Sequence, residues 1–490
     1  MPGRHVLNSF SFIDYAIVVV YLIFAALWGR FIGGEQKSVK DYFLGDKKVN
    51  WWLATFSIVA AETSTLTFIS IPGVAYLTNL NFLQVTLGYL IGRIIVARLL
   101  LPLYFKGELS TAYAFLEERF GKKTRTTASI VFIFTRVAGD GVRLFATAIP
   151  VKLLLDIDYP FAILIIVAVT LVYTYTGGLR GVIWVDAIQM FIYIGGAIIS
   201  CIFLYYVIPG DLFTRLSTDT LSQKLDVFNL GFGKSISEFF QTPYTLLAGL
   251  TGGAFLSMAS HGTDQLVVQR LLATGDLKSA QKSVIMSGVI IVFQFALFLF
   301  LGILLYIFFE GRQFAKPDEV FPYFIIHDLP MGVKGILVAG LMAAALSTLA
   351  GSVSSLASSS FYDISSIFGK NKLSEEQQLK LSKRLIIVWA GVLAVSAFFF
   401  MEIKGAAVEV ALSIASFTFG GLLGTFLLGI VNKRADQRDA ITGFLVSIAA
   451  MTIIVSLKLY AWTWFTLTGV SVCLIAGGIS SLLRKKTLPE

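Results

Sequence analysis

Glu62 stands beside four hydroxyl residues, Thr63, Ser64, Thr65 and Thr67, inside an apolar run that reads FSIVAAETSTLTF over residues 56–68. A helix in hydrocarbon satisfies its own backbone and needs none of these side chains. An ionisable group at that depth is costly and points to function. A second apolar run, AAALSTLA over 343–350, carries the adjacent hydroxyls Ser347 and Thr348. Hydroxyl and carbonyl oxygens suit a hard cation, and sodium is the ion expected. Taken alone, Ser347 reads as a helix–helix hydrogen bond. A third run, FTRVAGDGVRLFATA, places Arg136, Asp140 and Arg143 at i, i+4 and i+7, on one helical face. Arginine recognises carboxylates bidentately. This face either meets an anionic solute, with Asp140 neutralising one arginine, or locks helices together or meets lipid headgroups. Arg93 and Arg98 read as structural residues that snorkel toward one membrane surface. His261 reads either as a pocket residue or as a packed hydrogen-bonding histidine.

These residues need a membrane scaffold, and the composition supplies it. The chain has 490 residues, 56% hydrophobic and only 14% charged, outside the range of soluble domains. Thirteen apolar runs long enough to cross a bilayer are expected, near 12–34, 50–75, 80–105, 126–154, 159–177, 182–208, 243–268, 283–309, 333–362, 384–403, 407–431, 439–457 and 461–483. The net charge of +9 does not indicate nucleic acid. With the N-terminus outside, 25 of the 39 Lys and Arg fall in the seven inside segments, as the positive-inside rule requires. The C-terminus is then cytoplasmic. Cys201 and Cys473 fall within spans and imply no disulfide framework. The absence of any N-x-[ST] acceptor points to a bacterial plasma membrane.

Setting the first span aside, five spans cover 50–208 and five more cover 243–431. The first of each set is polar in its middle: VAAETSTLT in one and LSMASHGTDQ, with Asp264, in the other. Paired, interrupted spans in matching positions point to a transporter binding site, and an odd number of spans per unit makes the two units inverted. Close helix packing explains the small residues but not Glu62 and Asp264.

Four motifs, in order, carry a family resemblance: YFLGDKKVNWW (42–52), TGGLRGVIWVDAIQM (176–190), GTDQLVVQR (262–270) and AAALSTLAGSVSSLASSSFYDI (343–364). The chain resembles the sodium/solute symporters over roughly residues 12–485. The resemblance implies an all-α integral membrane protein with a LeuT-like inverted repeat of five plus five helices: 12–34 leads, 50–208 and 243–431 form the repeats, and 439–483 holds two trailing helices. It implies a sodium site made by the carbonyls of Ala60, Thr63 and Ala344 and the hydroxyls of Ser347 and Thr348. Asp186 matches an acidic residue that supports that site; a structural cap or an ion pair with an arginine such as Arg180 is the alternative. Some members resemble a two-sodium design with further hydroxyls one turn along. Ala350 and Gly351 stand there, so one sodium is expected. Sugar-transporting members carry a glutamine, an acid, an asparagine, a tyrosine and a lysine where this chain has Thr67, Thr86, Ser257, Ser260 and Ile291. A sugar pocket is therefore not expected. Glu62, Thr67, Thr86, Arg136, Arg143, Ser257, His261 and Asp264 remain candidates for the solute.

The expected activity is sodium-driven entry of a small organic solute, with no enzyme chemistry and no obligate protein partner. Proton coupling through Glu62 and Asp186, or a sensor built on the same scaffold, are the alternatives. The nearest phosphate-loop pattern, Gly231 to Ser235, has Phe228 where a glycine is needed. His5, His261 and His327 are scattered and form no metal motif.

Overall fold

The apolar runs fold as helices, the conformation in which a single segment pairs its own backbone groups in lipid. The computed structural model describes residues 10–107, 109–155, 157–217, 219–364, 373–401 and 407–483. His5, the start of the polar connector at 367–384 and the C-terminal 484–490 lie outside the described residues. No strand occurs among those described.

The chain runs through α1 (Phe12–Gly33), α2 (Trp51–Glu62), α3 (Thr65–Leu77), α4 (Leu83–Leu99), α5 (Lys122–Leu155) and α6 (Tyr159–Val207). It continues through α7 (Leu246–Gly262), α8 (Gln265–Leu272), α9 (Leu277–Phe308), α10 (Pro317–His327) and α11 (Val333–Ser359). It ends with α12 (Glu375–Phe399), α13 (Ala407–Val431), α14 (Gln437–Ser456) and α15 (Phe465–Leu483). Among the described residues eight helices are long and apolar enough to cross a membrane, nine with the bent α2–α3 pair. Thirteen were expected, and four causes account for the difference, one being that the run at 407–431 contributes only the shorter apolar helix Thr418–Val431 among the described residues. The 49-residue α6 takes up two of the expected runs. The run at 126–154 lies on α5, whose Arg136, Asp140 and Arg143 lower its apolarity. The run at 243–268 is divided between α7 and α8.

Local chemistry sets the bends. Between α2 and α3 the chain turns by 68°. Thr63 leaves the helix at φ −81°, ψ 88°, and Ser64 restarts it as an N-cap, a role its short oxygen side chain favours. Asp264 restarts α8 in the same way, accepting the Leu266 amide at 2.9 Å. Within α6, Gly178 sits at φ 55°, which glycine adopts without steric cost.

Two helices frame the interior. α11 is the most enclosed, with 94% of its most apolar stretch buried. Its N-terminus is capped by buried Asp14 of α1, which accepts from the amides of Gly332 (2.7 Å) and Gly335 (2.9 Å); a carboxylate there complements the helix dipole. α1 also lies directly on α6. A β-carbon on Gly33 would stand 2.2 Å from the Gly177 α-carbon, so small residues allow the crossing. α1, α6 and α11 thus pack as one group, and α6 carries Asp186 while α11 carries Ser347.

Candidate ion and solute site

The break between α2 and α3 releases two carbonyls. The amide of Ser64 would ordinarily bond the Ala60 carbonyl, but it donates to Glu62 O at 3.1 Å. The amide of Thr67, four residues beyond Thr63, donates to Ser64 Oγ at 3.4 Å. The resemblance implied Ala60, Thr63 and Ala344 as backbone ligands, and the first two carbonyls have lost their usual i+4 amides here. Across from them α11 packs against both α2 and α3. Its Ser347 hydroxyl donates to Asp186 Oδ1 at 2.7 Å, and Thr348 donates to the Ala344 carbonyl at 3.0 Å. With both protons directed into the protein, the lone pairs of the two hydroxyls are left for a cation. Thr63 is held by Gln294, whose side-chain amide donates to its hydroxyl at 2.8 Å.

Asp186 is fully buried and has three partners: Ser57 Oγ at 2.6 Å, Ser347 Oγ, and Arg270 Nη2 at 2.9 Å. The ion pair that the sequence offered as the alternative role of Asp186 is thus present, but with Arg270 and not Arg180, which is exposed at the bend of α6. Arg270 closes the α8 motif and reaches across to α6. It also donates to Ser57 Oγ (2.7 Å) and to the Leu266 carbonyl (2.7 Å). Its Nη2 would stand 2.8 Å from a β-carbon at Gly351, so the space left by that glycine is filled by a guanidinium. Ser57 and Arg270 belong to the Asp186 cluster, and the sequence reading did not single them out. Both lay inside quoted motifs, but nothing in a sequence pairs residues 84 positions apart.

Beside the α2–α3 break lies a cavity of about 180 Å³. Ser64, Thr67 and Ser70 supply hydroxyls on one wall, Phe82, Tyr244 and Phe295 an aromatic one, and Arg143 a cation. The cavity reaches Val74 and Trp462, toward the C-terminal end of α3. Arg143 has a side chain 33% exposed and bonds Asp140 at 3.2 Å. A second cavity of about 30 Å³ follows α5 the other way, between Arg136, Asp140, Arg143, Asp264 and Thr418. Arg136 pairs with Asp264 across the α7–α8 break and reaches Asp140 at 3.5 Å. Ser352 of α11 donates to Asp140.

Other expected residues fall elsewhere. Thr86 turns its hydroxyl back to Leu83 O at 2.8 Å and does not line the larger cavity. Ser257 is buried between α7 and α4, close to Gly92. Glu62 pairs with Arg93 of α4 and lies 3.5 Å from His261 Nε2. His261 is buried, with Nδ1 hydrogen-bonded to Ser260 Oγ at 2.9 Å. Arg93 does not snorkel: it is fully buried and donates to Glu62 and, at 2.7 Å, to Ser287 Oγ. The anticipated surface role fails because a carboxylate partner waits in the interior.

Freed carbonyls, adjacent hydroxyls and a neighbouring polar cavity are the kinds of group that an ion and a solute require. A sequence profile of the sodium:solute symporter family matches residues 42–447. The sodium/sialic acid symporter SiaT of Proteus mirabilis is 28% identical over 459 residues, covering 91% of this chain and 90% of that protein. The sodium/sialic acid symporter NanT of Aliivibrio fischeri is 26% identical over 495 residues, covering 98% and 95%. A solved Na+-coupled sialic acid symporter, substrate-bound, outward-open and described with a novel Na+ site, matches with a TM-score of 0.87 at 27% identity. It covers 97% of this chain and 99% of its own. Motifs, bent helices and overall frame thus agree along nearly the whole length: the chain belongs to the sodium:solute symporter family, a multi-pass membrane transporter, not an enzyme, in which sodium is the coupling ion.

Proposed function

We propose that this protein carries a small organic anion into the cell together with one sodium ion. The observation that carries the reading is the cavity of about 180 Å³ with Arg143 in its wall, adjoining the break that frees the Ala60 and Thr63 carbonyls. Those carbonyls, with Ala344 O, Ser347 Oγ and Thr348 Oγ1, are assigned to sodium. Asp186 orients Ser347 and is itself neutralised by Arg270. A guanidinium against Gly351, where no side-chain oxygen is available, favours a single ion. Thr67 and Arg143 are assigned to the solute. Thr86 and Asp264 are engaged within or between helices, and Ser257 packs against α4 outside the cavity lining, so these three are not; Glu62 and His261 act with Arg93 to hold α2, α7 and α4 together.

Charge supports an anionic cargo. Glu62, Asp140, Asp186 and Asp264 are matched inside the bundle by Arg93, Arg136, Arg143 and Arg270. An interior already near neutrality accepts a cation and an anion together at less cost than either alone. The relatives named as sialic acid symporters carry a carboxylate sugar acid, which fits an arginine in the wall.

In this reading the fold is the inverted repeat of 50–208 and 243–431, with the leading helix 12–34 and the trailing pair 439–483. The N-terminus lies outside and the C-terminus inside a bacterial inner membrane. The larger cavity then opens outward, and rocking of helix groups exposes the site to each side in turn. Sodium organises the break beside the cavity and raises solute affinity, a reciprocal coupling.

Proteoliposomes holding the full chain test this with radiolabelled sialic acid. A sodium gradient should drive uptake, and Arg143→Gln should raise the half-saturating concentration at least tenfold, the loss of one charge-assisted pair. Uptake driven equally by a proton gradient without sodium would overturn the coupling. Uptake of glucose in place of the acid would overturn the anion.

A further inference from the structure

Arg143 belongs to two cavities at once, and Arg136 to the second of them. We propose that the two arginines form a relay: the solute carboxylate docks first on Arg143 and is then handed along α5 to a second anion subsite at Arg136. The proposal rests on the reading above that the solute is an anion.

The geometry carries it in three steps. The arginines lie seven residues apart on α5, about 10 Å along the axis, and face the same way. Their spacing exceeds the reach of one carboxylate, so they make two stations. Asp140 sits between them and touches both, at 3.2 Å to Arg143 and 3.5 Å to Arg136. Charge-assisted pairs in good geometry are nearer 2.7–2.9 Å. Asp140 therefore holds each arginine loosely, as a placeholder that an arriving carboxylate can displace, while Ser352 of α11 keeps its charge hydrogen-bonded. Arg143 spends one of its five N–H donors among the described residues, leaving a fork for a ligand.

The second station is the narrower one in this structure: its cavity is about 30 Å³ against about 180 Å³ for the first. Thr135 of α5 donates to Thr418 of α13 at 3.0 Å, and Phe419 and Leu422 complete that wall. Arg136 is meanwhile held by Asp264 at the start of α8. Opening this subsite requires α5 to part from α13 or from the α7–α8 break. Asp264 then becomes the group that takes Arg136 back once the solute leaves, resetting the site.

The test compares equilibrium binding of sialic acid in sodium with sodium-driven uptake, both in proteoliposomes of the full chain. Arg143→Gln is expected to weaken binding at least tenfold. Arg136→Gln combined with Asp264→Asn removes the ion pair without stranding a charge, and asparagine still caps α8. That double variant is expected to bind within threefold of the wild type, which also shows that it is folded, and to lose uptake at least tenfold. Arg136→Lys, which keeps the charge but not the fork, should fall between. Normal uptake by the double variant would overturn the relay and leave Arg136 as a helix tie. Binding lost equally in both arginine variants would overturn the two-station order. Binding that ignores Arg143→Gln would instead overturn the anionic-solute reading, and the relay with it.

Discussion

Removing the hydroxyls of Ser347 and Thr348 separates two duties: the hydrogen bonds that the structure shows and the sodium ligation proposed for them. Ser347 donates to the Asp186 carboxylate at 2.7 Å, and Thr348 to the Ala344 carbonyl at 3.0 Å. A hydrogen bond to a charged group contributes about 1.5–3 kcal/mol, and a neutral one about 0.5–1.5. In potassium, Ser347→Ala is therefore expected to lose about 2 kcal/mol and Thr348→Ala about 1. Sodium adds a second effect. A ligand bound only by the folded state stabilises it by about 2.7 kcal/mol at one hundred times its Kd. With about 2.1 cal/mol/K of unfolding entropy per residue, 490 residues give roughly 1 kcal/mol/K. The wild-type Tm should then rise by about 3 °C in sodium, and by more if helices survive unfolding. Thermal unfolding of the purified protein in sodium, potassium and choline chloride measures this. The rise should appear in sodium alone and vanish in Ser347→Ala combined with Thr348→Ala. A sodium-specific rise of unchanged size in that double variant would refute the placement of the ion. An equal rise in potassium would refute its selectivity.

Two further outcomes follow from the packing. Asp186→Asn leaves the buried Arg270 guanidinium without its counter-charge and should destabilise by about 3–5 kcal/mol, whereas adding Arg270→Met should recover much of the loss; purely additive losses in thermal unfolding would show that the pair does not act as a unit. Gly33→Ala places a β-carbon 2.2 Å from the Gly177 α-carbon and should cost about 1–3 kcal/mol through overpacking. Gly391→Ala, with open space around its site, should be neutral or stabilise by up to about 1 kcal/mol; equal folded yields of the two on size exclusion would contradict the close crossing of α1 and α6.

The residues proposed for sodium were named before any coordinates. A hydroxyl-rich stretch with a glutamate inside an apolar run stood out, as did Ser347 and Thr348, while the set Ala60, Thr63, Ala344, Ser347 and Thr348 came from the family resemblance; Glu62 itself ties α2 to α4 through Arg93. The bend was legible as well: Thr63, Ser64 and Asp264 are residues that end or cap helices, set where a plain span would carry leucine. The solute candidates were less legible. Thr67 and Arg143 do line the larger cavity, but Thr86 bonds its own helix and Ser257 packs between two others. Helical spacing says which residues share a face, not what that face meets.

What the sequence determined by itself is the class of protein, its membrane-spanning character and the residues that break its helices, because hydrophobic runs and capping chemistry are local. What only the tertiary structure decided is who neutralises whom. Arg93 answers Glu62 from 31 positions away, Arg270 answers Asp186 from 84, and Arg136 answers Asp264 from 128. Taken alone, Arg93 read as a surface anchor, Arg136 as a candidate for an anionic solute or a helix lock, and Arg270 as a motif residue with no partner assigned. A buried charge is tolerable only beside its opposite, and which opposite lies beside it is settled by how the helices pack.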